Sequence, residues 1–145
     1  MYLVLRPTRY DYIRNTIYFL KNMIQPQTIV KVADNSGAKI GKVFKILGGT
    51  RRRYARIGDI VFLAVQVAEP RKLVKRKDVV HALVVRQRNP FRRKDGSYIR
   101  FDENAVVILE KGKKEPKAGR IFGPLPREIG ERGFQSIVSM APEVV

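Results

Sequence analysis

The sequence predicts a mainly β protein, built as a small antiparallel barrel of five or six strands. Three observations carry that prediction. Runs rich in Val, Ile and Phe recur from residue 28 onward, and turn-forming residues punctuate them at short intervals. No helical pattern of a dozen residues separates consecutive runs, as the crossovers of a parallel sheet would require. Closing such strands on themselves removes the exposed edges of an open sheet.

Residues 1–22 precede the β-rich text and read differently. They hold four of the six tyrosines, and Arg6, Arg9, Arg14 and Lys21 are opposed there by Asp11 alone. Pro7 and Thr8, with Asp11 three residues beyond Thr8, mark a helix start. Tyr10, Ile13, Ile17 and Leu20 then recur at helical spacing, which predicts a short amphipathic helix over about 9–21. Gln25-Pro26-Gln27 breaks the pattern. A helix this short is marginal by itself, so 1–22 reads as an N-terminal extension, and 23–145 as a single barrel domain. The extension is expected to dock on a neighbouring protein or on RNA.

Strands are predicted over 28–33, 39–47, 59–68, 78–86, 97–101 and 105–110. The turns between them fall at Asn35-Ser36-Gly37, Gly48-Gly49, Gly58-Asp59, Asp95-Gly96 and Lys111-Gly112. Residues 89–96 predict a projecting hairpin with Asp95-Gly96 at its tip and basic side chains reaching past the barrel wall. After Pro116 the pattern loosens, and 126–132 and 134–140 predict two short helices.

Charge dominates the composition. Among 145 residues, 30 Lys and Arg face 13 Asp and Glu, a net charge of +17, while a 44% hydrophobic share is that of a folded protein. A surplus of this size points to a polyanion. The bases concentrate in four windows, 51–56, 71–77, 86–94 and 111–117, in which Glu115 is the sole carboxylate. Turns at one end of a barrel are neighbours, so the four windows are expected to act together, and packed like charges cost free energy until a polyanion neutralises them. Arg51, Arg52, Arg53 and Arg56 surround Tyr54, offering planar forks for phosphate and a ring for stacking. RNA fits better than DNA, because no predicted helix carries the basic stripe of a major-groove reader.

Enzyme chemistry finds little support. The chain has no Cys and one His. Gly48-Gly49-Thr50 lacks the spacing of a phosphate-binding loop, and no Ser sits in a nucleophile elbow. Asp102-Glu103 reads as a turn that neutralises Arg100, and His81 as a structural residue of an apolar strand. Neither metal nor cofactor is implied. No apolar run approaches the roughly 20 residues that span a bilayer. A single-strand-binding module would also be a barrel with basic loops, but it would show aromatics on one face. Phe44, Phe62, Phe101 and Phe122 lie in apolar stretches and read as core.

One set of residues is more specific. Ala82-Leu83-Val84-Val85, nine residues, Asp95-Gly96, four residues, Phe101, two residues, Asn104, two residues and Val107-Ile108 resemble the signature of protein fourteen of the large ribosomal subunit. The segments 32–38, 52–55, 58–59, 120–124 and 141–145 extend the resemblance over 23–145. It implies a five-stranded barrel with a projecting β-ribbon and a small helical C-terminal segment. It also implies direct binding to large-subunit rRNA, a place at the subunit interface with bridges to small-subunit rRNA, and contact with neighbouring ribosomal proteins, including protein nineteen. The expected rRNA-binding residues are Lys39, Arg51, Arg52, Arg53, Tyr54, Arg56, Arg71, Lys72, Lys75, Arg76, Lys77, Arg88, Arg92, Arg93 and Lys94. The resemblance further implies a C-terminal face for a ribosome-silencing factor, at Arg120, Phe122 and Ser139. On that face Gly119 stands where the family has Thr, and Ser136 where it has a basic residue. The basic, nearly acid-free residues 1–22 resemble a mitochondrial targeting sequence. A mitochondrial ribosome is therefore the expected setting, with the bacterial cytoplasm and the plastid as alternatives.

Overall fold

The computed structural model describes residues 23–145, so the helix expected over 9–21 lies outside the described residues. Five strands form a closed barrel in the order β1 (Ile29–Val32), β2 (Ala38–Ile46), β3 (Ile60–Ala68), β4 (Val79–Arg86) and β7 (Ala105–Leu109). β5 (Phe91–Arg92) and β6 (Tyr98–Ile99) make a separate two-stranded ribbon. Beyond β7 come β8 (Pro124–Leu125), two short helices, α1 (Glu128–Glu131) and α2 (Gln135–Met140), and β9 (Glu143–Val144). The parallel β8–β9 pair has no counterpart in the sequence prediction, which two-residue strands are too short to inform.

Four of the five barrel seams are antiparallel, as predicted, but the closing seam between β1 and β7 is parallel. The reason is parity: an odd number of strands that alternate in direction must leave one like-directed pair where the barrel shuts.

The interior is a column of alternate residues. Val30, Val43, Val61, Leu63, Ala82, Val84 and Val106 pack together, with Val65, Ile108 and Val74 above them. Gly41 belongs to this column because a Cβ there would strike the Leu63 side chain. β4 and β7 break the one-sided rule. Their other face, Leu83, Val85, Ala105, Val107 and Leu109, is buried against Ile129, Phe134 and Ile137 of the C-terminal segment. This double burial explains why their sequences read as unbroken apolar runs. Each fully buried Leu or Ile contributes about 1.5–3 kcal/mol relative to exposure.

Connections alternate between two rims. The upper rim carries the loops after β1, β3 and β7. The lower rim carries the β2–β3 loop and the excursion from β4 to β7 that includes the ribbon.

The predicted core role of the aromatics holds in part. Phe101 packs against the C-terminal core, but Phe44 and Phe122 are about half exposed, at 47% and 49%. Phe44 follows the inward-facing Val43, so strand alternation turns it outward, and the bulge in β2 between Val43 and Lys45 sets Lys45 on the same face.

Candidate nucleic-acid interface

Each rim is organised by one buried carboxylate. At the upper rim Asp34 accepts hydrogen bonds from the backbone N–H of Ser36 (3.1 Å) and of Ile108 (2.8 Å), and from the Ser36 hydroxyl. Burial raises the Asp34 pKa above the ordinary aspartate value, and these donors offset part of that rise. The adjoining loops lock on through backbone bonds from Val74 N to Ser36 O and from Glu69 N to Gly37 O. Asn35 Oδ1 holds Arg120 N at 3.2 Å. Arg71, Lys72, Lys75, Arg76 and Lys77 are exposed on the long β3–β4 loop, and Lys39 is exposed at the start of β2. Glu69 lies 3.4 Å from Lys39 and 3.9 Å from Lys72.

At the lower rim Asp59 plays the matching part. Its carboxylate accepts from the Arg56 backbone N–H at 2.7 Å, and it pairs with the guanidinium groups of Arg52 and, at 3.1 Å, Arg132. Arg52 also donates to Leu47 O at 3.2 Å. Gly58 has a positive φ of 86°, a conformation that glycine adopts at little cost, and Arg132 lies across it where a Cβ would sit. Buried Gln87 joins the two lower loops, accepting from Ile57 N at 3.2 Å and donating to Asn89 O at 2.9 Å. A shallow groove of about 440 Å³ is lined by Gln25, Pro26, Arg51, Arg52, Arg53 and Tyr54. A second cleft, of about 760 Å³, runs between the ribbon and α1 and brings Arg56, Arg92, Lys94, Arg127 and Arg132 around one space.

The four basic windows are therefore not a single cluster. Windows 51–56 and 86–94 belong to the lower rim, whereas 71–77 and 111–117 belong to the upper. Strand alternation sends successive connections to opposite ends, so two windows meet at each rim.

Not every predicted contact residue faces outward. Arg93 has a side chain only 12% exposed; it pairs with Glu128 at 2.8 Å and donates to the carbonyl oxygen of Val145 at 2.7 Å. These bonds brace the ribbon against α1 and the chain end, while its tip, with Lys94 and Tyr98, stands in solvent. Arg52 is tied to Asp59 and Leu47. Arg86, in the same window as Arg93, is buried in the wall. It donates to Phe122 O at 3.2 Å and lies 3.7 Å from Glu103, and burial lowers its pKa while Glu103 opposes that shift. Glu103 also pairs with Lys31 at 2.7 Å, so this member of the acidic pair expected to serve Arg100 is engaged by Lys31 and Arg86 instead. Exposed at the lower rim are Arg51, Arg53, Arg56, Arg88, Arg92 and Lys94, the last at 3.6 Å from Glu131.

Arg127 and Arg132 escaped the sequence reading. They alternate with Glu128 and Glu131 in a weakly patterned stretch, and only packing of α1 beside the ribbon brings them to the lower rim. On the C-terminal face Arg120 and Phe122 are exposed on either side of Ile121, which bridges to Asp34. Ser139 is exposed on α2, its hydroxyl donating to Ser136 O at 2.8 Å. Among the described residues, no three His, Cys, Asp or Glu side chains come together as a metal site requires, and no helix is long and apolar enough to cross a membrane.

The family model for Ribosomal protein L14p/L23e matches residues 23–145, the same span that forms the barrel, the ribbon and the C-terminal segment. With barrel, signature residues and family match in agreement, the chain belongs to the ribosomal protein L14p/L23e family, whose members are structural, non-enzymatic constituents of the large ribosomal subunit.

Proposed function

We propose that the protein binds large-subunit rRNA directly, and that it does so at both rims of its barrel. The observation that carries this reading is the split of the basic windows, two to each end of a rigid closed sheet. The lower-rim contact is made by Arg51, Arg53 and Arg56 around Tyr54, with Arg88, Arg92 and Lys94 from the ribbon. The upper-rim contact is made by Lys39, Arg71, Lys72, Lys75, Arg76 and Lys77. Loops and a ribbon meet structured RNA through shape and phosphate rather than through base edges. A protein with two such ends ties separate RNA segments together, which suits a place at the subunit interface with bridges to small-subunit rRNA. Neighbouring proteins, including protein nineteen, and a silencing factor at Arg120, Phe122 and Ser139 are the protein partners this reading adds. The basic extension 1–22 supports a mitochondrial ribosome, and deleting it should leave the barrel folded while weakening incorporation into the large subunit.

The test is binding of the full chain to large-subunit rRNA across a salt series. Replacing Arg51, Arg53 and Arg56 by Ala, or Arg71, Arg76 and Lys77 by Ala, should each lower affinity and flatten the salt dependence by about 2–3 units of slope. Unchanged affinity in both triple variants would overturn the reading. A change confined to one of them would overturn its two-ended form.

A further inference from the structure

We propose that the outward face of β2, β3 and β4 is a stacking platform for an unpaired stretch of RNA, with Phe44 holding a base and Lys42 and Lys45 the adjoining phosphates. The proposal rests on the RNA-binding reading but uses a surface separate from both rims. The bulge in β2 turns Phe44 and Lys45 outward together, whereas a regular strand would send one of them inside. Cross-strand register then sets Lys45, Phe62 and His81 in one row over three strands. The rings of Phe44 and Phe62 lie 5.9 Å apart and only 19° from parallel, and His81 meets Phe62 edge-on at 4.5 Å. Lys45 Nζ lies 5.8 Å from the centre of the Phe62 ring. Phe44 is thus braced by its neighbours, yet 47% of it is open to solvent.

The next row continues the surface. Lys42 pairs with Ile29 on one side and Ala64 on the other, and Ala64 pairs with Val79. Ile29 and Val79 are 60% and 63% exposed. β2, β3 and β4 contain no Asp or Glu along their lengths. Among the described residues neither Lys42 nor Lys45 forms an ion pair, although ten such pairs exist elsewhere.

An occupant of this face must be flat and apolar over the rings and negative beside them. An apolar protein surface would cover the rings but strand two ammonium groups without partners. A single-stranded nucleotide meets both demands, because every base has a face to stack and every link a phosphate. Duplex RNA meets only the second, since its bases are already stacked on one another.

The test uses the full chain and two fluorescent probes, a short oligouridylate and a short RNA duplex, compared by anisotropy. Phe44→Ala should weaken oligouridylate binding about tenfold or more, the effect of one lost base stack, and leave duplex binding unchanged. Phe44→Tyr should retain the wild-type preference. Phe44→Leu, which keeps apolar bulk without a ring, should lose it, so the result does not hinge on how well the Ala variant folds. Equal oligouridylate affinity in the wild type and in the Phe44→Leu and Phe44→Ala variants would overturn the platform. So would unchanged binding of both RNAs together with poorer incorporation into large subunits, which would make the occupant a protein. A wild-type chain that fails to bind the duplex, yet binds oligouridylate in a way that depends on Phe44, would count against the rims and support the platform.

Discussion

Asp59 and Asp34 show how much the loops of the two rims depend on buried side chains. Asp59 is buried and serves two guanidinium groups and one backbone N–H. Asp59→Ala should therefore destabilise the fold by about 1–3 kcal/mol in urea denaturation, while Arg132→Ala, at a half-exposed partner, should cost less than about 1 kcal/mol. Asp34 has the opposite electrostatic sense from an ion-paired carboxylate. Because burial lifts its pKa when folded, the folded chain holds that proton more tightly than the unfolded one. Its contribution to stability should fall as pH rises from the ordinary aspartate value through the raised folded value, and stay level above it. Carboxyl titration by NMR should find Asp34 above the ordinary range, and Ser36→Ala, which removes the largest opposing hydrogen bond, should move it further up. The exposed Asp95 runs the other way: its bonds to the Ser97 hydroxyl and N–H lower its pKa, so the ribbon-tip turn should loosen as pH falls through that lowered value.

Among the elements, the two helices are the least self-sufficient. α1 has four residues and α2 six, neither has a side-chain cap, and such lengths are not stable in water by themselves. They persist because Ile129, Phe134 and Ile137 are buried against the outward side of β4 and β7. Ile137→Ala should cost about 2–5 kcal/mol by denaturation. Hydrogen exchange should then speed up over 128–140 before it does in the barrel strands. The ribbon depends on the same packing through Arg93 and Glu128. A loss of the helical segment should thus also free the ribbon, although the two are far apart in sequence.

For the whole molecule, the decisive property is that a rigid barrel holds positive charge at two ends. The net charge of +17 makes any RNA association steeply salt-dependent, and the two rims should contribute separately to that slope. Combining the lower-rim and upper-rim triple substitutions should flatten the salt dependence by about the sum of the two, because groups with no shared partners act independently. Circular dichroism should remain that of the wild type in both, since none of the six side chains substituted forms an ion pair in the described structure.

Much of this was legible in the residues themselves. Alternating Val and Ile set the strands, and glycine-bearing turns set their ends, because side-chain period and φ preference are local properties. The five barrel strands begin and end within a residue or so of the predicted limits. The signature over 82–108 pointed to the family, and the excess of Lys and Arg to a polyanion. Tertiary structure decided the rest. Only strand pairing assigns each loop to a rim, dividing charge that looked like one patch into two. Only packing turns Arg86 and Arg93 inward and brings Arg127 and Arg132 to the lower rim, and only strand pairing shows the bulge that sets Lys45 beside Phe44 on the outer face. Composition states how much charge and apolar area a chain possesses; where they face is set by contacts between residues distant in sequence.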